Sequence, residues 1–279
     1  MADIRFIIVA TPRTGSTLLG DLLNSHNDIF CDNELYNPYQ ICRYGFNEDD
    51  ITGLKYRNSQ PIRFWNEFFF SDFAEKKKAI GFNFMIGHNY KILEQIQKKR
   101  WVKIIFLTRE NKLAQFSSHK IALSTQCWSM EKEQDINQNN NTMFDFRQFE
   151  HWLHETITYE YLFGKMLKLL KLNYIYIEYR QLLQHDAHRA ICNYLDVKFV
   201  PLKAFLLKQN KNKIIERFEN QNEVREYLKL IGNEHWGMVQ LTELYLTALK
   251  KIHISRVALI SLAVGPTSQR GRGKPPGQL

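Results

Sequence analysis

The stretch Ile4-Arg-Phe-Ile-Ile-Val-Ala-Thr-Pro-Arg-Thr-Gly-Ser-Thr-Leu-Leu-Gly-Asp-Leu-Leu23 decides the fold that this sequence predicts. Phe6 to Ala10 is a short apolar run rich in β-branched residues, which is typical of a buried parallel strand. From Leu18 onwards the apolar residues recur at helical spacing, at positions 18, 19, 22 and 23. A strand that leads through a tight turn into a helix predicts an α/β protein with a parallel sheet flanked by helices.

The turn between this strand and this helix has the composition of an anion cradle. The N-terminus of a helix offers unpaired N–H groups and a partial positive charge. Gly15 lets the backbone approach a ligand closely, and Ser16 and Thr17 add hydroxyl donors. Arg13 adds a planar, charged fork that suits a phosphate or sulfate. Taken alone, the turn is also compatible with an ordinary strand-to-helix connection that binds nothing.

The loop is not the phosphate loop of nucleoside triphosphatases. That motif, Gly-x-x-x-x-Gly-Lys-Ser/Thr, needs a first glycine and a lysine after the second, and neither accompanies Gly15. Pro12-Arg-Thr-Gly-Ser-Thr17 instead resembles the 5′-phosphosulfate loop of sulfotransferases that use 3′-phosphoadenosine 5′-phosphosulfate (PAPS). The resemblance implies a P-loop-like sulfotransferase fold of the bacterial type, and donor contacts from Arg13, Thr14, Gly15, Ser16 and Thr17. It also implies PAPS as co-substrate, the desulfated nucleotide PAP as product, and no metal.

A second motif follows the next clear strand, Val102-Lys-Ile-Ile-Phe-Leu-Thr108. Arg109 comes directly after it, and Ser117 lies slightly more than two helical turns further on, so its hydroxyl can face back towards the strand end. A guanidinium and a hydroxyl in this arrangement can bind one phosphate. The pair resembles the 3′-phosphate motif of the same family.

Two residues are candidates for the base that accepts the proton of the acceptor group. Glu34 lies in Cys-Asp-Asn-Glu-Leu-Tyr-Asn, within a loop predicted over 27–39, and resembles the glutamate near the acceptor in bacterial sulfotransferases. His88 follows the predicted strand Ala79-Ile-Gly-Phe-Asn-Phe-Met, in which Asn83 replaces the lysine of the family pattern. Glu34 is the first choice and His88 the second; a local cap or pair for Glu34 and a structural role for His88 stay open.

The resemblance extends over about residues 4–230 and adds three nucleotide contacts. Tyr179 falls on the tyrosine near the adenine in relatives, although Arg180 and Gln181 replace the acidic pair that follows it there. Lys208 and Gln209 belong to a basic segment that, together with 214–227, resembles the part closing over the nucleotide.

The 279 residues suit one large α/β domain, predicted over 1–254, with a mobile asparagine-rich loop at about 124–145. A basic tail rich in Gly and Pro, 255–279, is predicted to be disordered. Net charge is +9, which favours polyanionic ligands, although a solvated basic surface would look the same, and no nucleic-acid recognition pattern is present. The first strand begins almost at the N-terminus and the four cysteines form no zinc or Cys-x-x-Cys pattern. A cytoplasmic protein with reduced thiols and no stable membrane insertion is therefore expected.

These observations together predict a sulfotransferase that moves a sulfuryl group from PAPS to a hydroxyl or amine. The acceptor class is open between a glycan, a lipid and a small metabolite. Two other functions are compatible with the sequence: a P-loop-like kinase of a small acceptor, and a non-catalytic protein that binds a nucleotide or polyanion.

Overall fold

The computed structural model describes residues 3–44, 46–48, 50–70, 76–128, 141–206 and 213–238, of which 46–48 are described by their backbone alone. Residues Met1–Gly237 form one compact unit. The tail predicted at 255–279 and the middle of the loop predicted at 124–145 lie outside the described residues. Within the described part of the chain, no helix has the length and apolar character needed to cross a membrane.

Helices separate successive strands along the chain, as expected for an α/β protein, except at 29–48, where three strands follow one another. The helices and strands are β1 (Ile4–Ala10), α1 (Ser16–Asn24), β2 (Ile29–Asp32), β3 (Ile41–Arg43), β4 (Phe46–Glu48), α2 (Ile51–Ser59), α3 (Pro61–Phe69), β5 (Ala79–Met85), α4 (Tyr90–Lys98), β6 (Val102–Thr108), α5 (Lys112–Thr125), α6 (Phe146–Leu169), β7 (Tyr174–Glu178), α7 (His185–Tyr194) and α8 (Gln221–Leu230). Short 3₁₀ helices cover Tyr179–Leu183, Ile214–Arg217 and Glu234–Gly237.

Five of the strands form a parallel sheet in the order β2-β5-β1-β6-β7. The strand β1 therefore lies in the middle, with Ile7 opposite Phe82 of β5 on one side and Ile104 of β6 on the other. The predicted α/β class with a parallel sheet is confirmed. The predicted loop over 27–39 is wrong in part, because it contains β2; this strand is only four residues long and is bounded by Asn and Asp.

The two faces of the sheet are covered by different helices because successive side chains of a strand point to opposite faces. Phe6 and Ile8 pack in a cluster with Leu19 of α1 and Ile191 of α7. Ile7 and Val9 pack in a second cluster with helices α3, α4 and α6. Both faces are thus buried, which explains the nearly continuous apolar sequence of β1.

A third apolar cluster joins α5 to the C-terminal part of the described chain. Phe116 of α5 lies close to Phe149 of α6, with 5.2 Å between ring centres, and Phe218 and Trp236 belong to the same cluster. This cluster holds the 3₁₀ helix Ile214–Arg217 against α5, the helix that begins beyond β6.

Candidate functional site

All five strands of the sheet contribute a candidate residue at the same edge. In a parallel sheet the carboxyl ends of the strands meet at one edge, and ligands bind in the crevice outside it. Across this edge, in the order of the strands, lie Glu34 after β2, His88 after β5, Arg13 after β1, Arg109 after β6 and Tyr179 after β7. The sheet order therefore places the two candidate bases on one side of Arg13 and the predicted nucleotide residues on the other.

The loop between β1 and α1 has an unusual backbone at two positions. Arg13 has φ 62° and Gly15 has φ 102°, both in the left-handed region, and Gly15 is the N-cap of α1. No side chain caps the helix there, so its first N–H groups stay available to a ligand. Ser16, the first residue of α1, is buried, and Thr17 is partly buried.

Gly15 lies directly against the ring of Tyr179. This contact gives a reason for the glycine that differs from the close approach to a ligand expected from the sequence. A Cβ atom added at Gly15 would lie 2.6 Å from Cδ2 of Tyr179. The close approach that requires a glycine here is thus one between loop and tyrosine. On the same ring, the guanidinium carbon of Arg109 lies 4.3 Å from the ring centre. Tyr179 therefore links the loop after β1 to the arginine after β6.

A second arginine joins the predicted pair of Arg109 and Ser117. Arg217 donates from Nη1 to the hydroxyl oxygen of Ser117 at 3.1 Å, and Arg109 donates from Nη1 to the carbonyl oxygen of Arg13 at 3.3 Å. All three side chains are buried, and the Nε atoms of both arginines lack a hydrogen-bond partner. In the described part of the chain, neither arginine forms an ion pair with a carboxylate.

The positive charge of Arg109 disfavours the charged form of Arg217. Burial and the charge of Arg109 lower the pKa of Arg217 to about 10, and burial lowers the pKa of Arg109. Buried polar groups without partners are rare in proteins, and a buried charge is normally paired. The cluster has the properties of a site for a multiply charged anion. The sequence offered one signal for Arg217, its place in the segment 214–227 that resembles the part closing over the nucleotide.

The guanidinium of Arg13 is held from α5 and from the chain beyond it. Its Nε donates to the hydroxyl of Ser118 at 3.0 Å and its Nη1 to the carbonyl oxygen of Trp128 at 2.6 Å. Burial and the charge of Arg109 lower the pKa of Arg13 to about 10, while Glu34 opposes this shift. Arg13 therefore lies between the arginine cluster and the first candidate base.

Glu34 occupies a loop that is fixed by its own bonds and by a buried arginine. Its carboxylate accepts a hydrogen bond from Nδ2 of Asn37 at 2.9 Å. Arg57 of α2 donates to the carbonyl oxygens of Leu35 and Asn37, at 2.9 and 2.7 Å. Burial raises the pKa of Glu34, opposed by Asn37 and by the charge of Arg13. A carboxylate with a raised pKa is a better proton acceptor.

His88 has a different electrostatic environment. Burial and the charge of Arg57 lower its pKa to about 4, and its Nδ1 atom is buried without a hydrogen-bond partner. The imidazole is thus neutral at physiological pH but is a weak base. The choice of Glu34 as the base, ahead of His88, stays a prediction.

The predicted contacts to the PAPS donor that remain are those of Thr14, Lys208 and Gln209. The side chain of Thr14 is fully buried and donates to the carbonyl oxygen of Thr11, so its hydroxyl faces the protein interior and only its backbone can serve a ligand. Lys208 and Gln209 lie outside the described residues. Among the residues that are described, no three His, Cys, Asp or Glu side chains form a group that could hold a metal ion.

Comparison with known proteins finds similarity at the level of structure. No protein-family model matches the chain, and no curated protein matches it. The mouse sulfotransferase SULT7A1 in complex with PAP matches 85% of this chain and 88% of its own, at 14% identity and a TM-score of 0.45. A sulfotransferase from Alicyclobacillus acidocaldarius matches 84% of this chain and 95% of its own, at 14% identity and a TM-score of 0.41.

Proposed function

We propose that this protein is a sulfotransferase that moves the sulfuryl group of PAPS to a hydroxyl or amine of an acceptor and releases PAP. The observation that carries the proposal is the pair of buried arginines, Arg109 and Arg217, at the hydroxyl of Ser117. Their Nε atoms lack partners, and Arg109 contacts Tyr179, the same ring that contacts Gly15 at the helix N-terminus.

Two separate anion sites favour a nucleotide with two separate phosphates. The N-terminus of α1 with Arg13 suits the 5′-phosphosulfate, because N–H groups and a guanidinium converge there. The cluster of Arg109, Ser117 and Arg217 suits a 3′-phosphate, whose charge would relieve the repulsion between the two arginines. The proposed position of the adenosine is beside Tyr179, which contacts both sites.

The residues at the edge of the sheet can perform the transfer itself. In the reaction the bond between sulfur and the 5′-phosphate oxygen breaks, and a bond between sulfur and the acceptor atom forms. Negative charge grows on the leaving phosphate, where Arg13 and the N–H groups of the loop stabilise it. The acceptor proton passes to Glu34, which lies on the other side of Arg13 from the nucleotide residues. The proposed acceptor is a glycan, a lipid or a small metabolite that enters from this side.

The decisive experiment compares nucleotides by isothermal titration calorimetry. PAP should bind much more tightly than 5′-ADP or AMP, because only PAP carries a 3′-phosphate. ATP with magnesium should also bind more weakly, since the loop lacks the lysine of a phosphate loop. Equal affinity for PAP and ADP would contradict the proposal, and preference for ATP with magnesium would indicate a kinase.

A further inference from the structure

Gln115 of α5 is fully buried beneath the loop after β1 and takes no part in the proposed transfer. Its Nε2 atom lies 2.7 Å from the carbonyl oxygen of Pro12. The same atom lies 3.1 Å from Oγ1 of Thr11 and 3.2 Å from Oγ1 of Thr14. One neutral amide therefore contacts the loop on both sides of Arg13.

The loop needs such a support because its backbone is strained. Arg13 has φ 62°, a region that side-chain-bearing residues adopt only where the surroundings impose it. The carbonyl group that accepts from Gln115 belongs to Pro12, the residue directly before Arg13. The hydrogen bond consequently acts on the peptide unit whose rotation would change φ of Arg13.

A buried ion pair determines which way the amide of Gln115 points. Lys112 donates from Nζ to Oε1 of Gln115 at 3.3 Å. The same ammonium is 2.7 Å from Oε1 of Glu160 in α6, and that carboxylate also accepts from Thr11 at 3.0 Å. Because an ammonium only donates, the oxygen of Gln115 faces Lys112, and its NH₂ group faces the loop.

We propose that Gln115 is a positioning residue for the 5′-phosphate site, with Lys112 and Glu160 orienting its amide. It holds the peptide before Arg13 so that the loop N–H groups and the guanidinium face the same anion. This inference rests on the proposed function. It predicts that Gln115 affects the 5′-phosphate much more than the 3′-phosphate, since Ser117 and Arg217 bond to each other and Arg109 reaches the loop through one bond, to the carbonyl oxygen of Arg13.

The test compares PAP with adenosine 3′-phosphate, which lacks the 5′-phosphate, in the variant Gln115→Met. We expect the affinity for PAP to fall about tenfold, because the variant loses one buried hydrogen-bonding group at the 5′-phosphate site. The affinity for adenosine 3′-phosphate should change less than about twofold, because this ligand does not use that site. The matched control is Gln95→Met, at a buried glutamine of α4, which should leave both affinities unchanged.

A second variant separates positioning from folding. Gln115→Glu keeps the shape of the side chain and an oxygen for Lys112 but removes the NH₂ donors. It should therefore shift the ratio of the two affinities in the same direction as Gln115→Met. This result is informative even if Gln115→Met does not fold. An unchanged ratio in the folded variants, or an equal loss for both nucleotides, would overturn the inference and leave the proposed function standing. A wild-type protein that does not prefer PAP over ADP would overturn both.

Discussion

The guanidinium of Arg109 lies over the ring of Tyr179, with 4.3 Å between its central carbon and the ring centre. The same ring also contacts Gly15, at the start of α1. One tyrosine thus contacts both proposed phosphate sites, one at the N-terminus of α1 and one at Arg109. A cation held against an aromatic face keeps its direction without a carboxylate partner that would compete with the ligand.

Substitution of Tyr179 should therefore weaken nucleotide binding through Arg109. In Tyr179→Leu we expect the affinity for PAP to fall about two- to thirtyfold, because a cation–π contact is worth about 0.5–2 kcal/mol. Tyr179→Phe keeps the ring and should bind PAP nearly as well as the wild type. Calorimetric titration of both variants tests this, and equal losses would mean that the phenol hydroxyl, not the ring, is what matters.

Gly15→Ala should abolish tight PAP binding by displacing Tyr179. The added Cβ would lie 2.6 Å from Cδ2 of that ring, and the residue has φ 102°. The matched control is Gly87→Ala, which has φ 98° but nothing within 4 Å of the added Cβ. Both variants should lose about 1–2 kcal/mol of unfolding free energy from the left-handed backbone, measured by urea denaturation. Only Gly15→Ala should lose PAP binding, and similar binding in the two variants would contradict this account.

Arg217→Met should have opposite effects on binding and on stability. We expect the affinity for PAP to fall about tenfold to a hundredfold, because a charge-assisted hydrogen bond is worth about 1.5–3 kcal/mol. The unfolding free energy of the ligand-free protein should rise, since the substitution removes a buried cation that Arg109 repels. Arg109→Ala should likewise remove most of the preference for PAP over ADP.

The control for Arg217→Met is Arg225→Met on α8, where the arginine is exposed and bonds to Gln221. This variant should change neither PAP affinity nor the preference for a 3′-phosphate. If Arg217→Met binds PAP as the wild type does, the cluster around Ser117 is not the 3′-phosphate site.

Glu34→Gln should lower kcat by about a hundredfold or more, because it keeps the shape of the side chain and removes the proton acceptor. PAP affinity should change little, since Glu34 lies on the acceptor side of Arg13. His88→Asn should retain most of the activity, because the pKa of His88, about 4, makes it a weak base. A turnover assay with PAPS and a working acceptor compares the two, and an inactive His88→Asn beside an active Glu34→Gln would reverse the roles.

The same two variants should change the pH dependence of stability in opposite directions. Burial raises the pKa of Glu34, so the folded wild type loses stability as the pH rises through this raised pKa. The variant Glu34→Gln does not carry this carboxylate. It should therefore be more stable than the wild type at neutral pH but not in acid. The pKa of His88 falls from 6.5 to about 4 on folding, so the wild type loses stability as the pH falls between these values. His88→Asn should lack this acid loss. Urea denaturation from pH 4 to 8 measures both, and parallel curves for all three proteins would contradict the assignment.

The sequence alone predicts the local elements that carry the candidate site. The apolar run before Thr11 and the run 102–108 become the central strands β1 and β6, because burial on both sheet faces requires near-continuous apolar sequence. The spacing of Arg109 and Ser117 predicts that both lie at one strand end, since that depends only on helix geometry. The strand β2 was missed because four residues flanked by Asn and Asp carry too short a pattern.

Only the tertiary structure decides how these elements combine. The order of the strands follows from contacts between distant parts of the chain. This order places Glu34 and His88 on one side of Arg13. It places Arg109 and Tyr179 on the other side. Arg217 reaches Ser117 across 100 positions of sequence, and Gln115 reaches Pro12 across 103. No local pattern encodes such pairs, because a buried arginine or glutamine is recognised as functional only by the groups that surround it after folding.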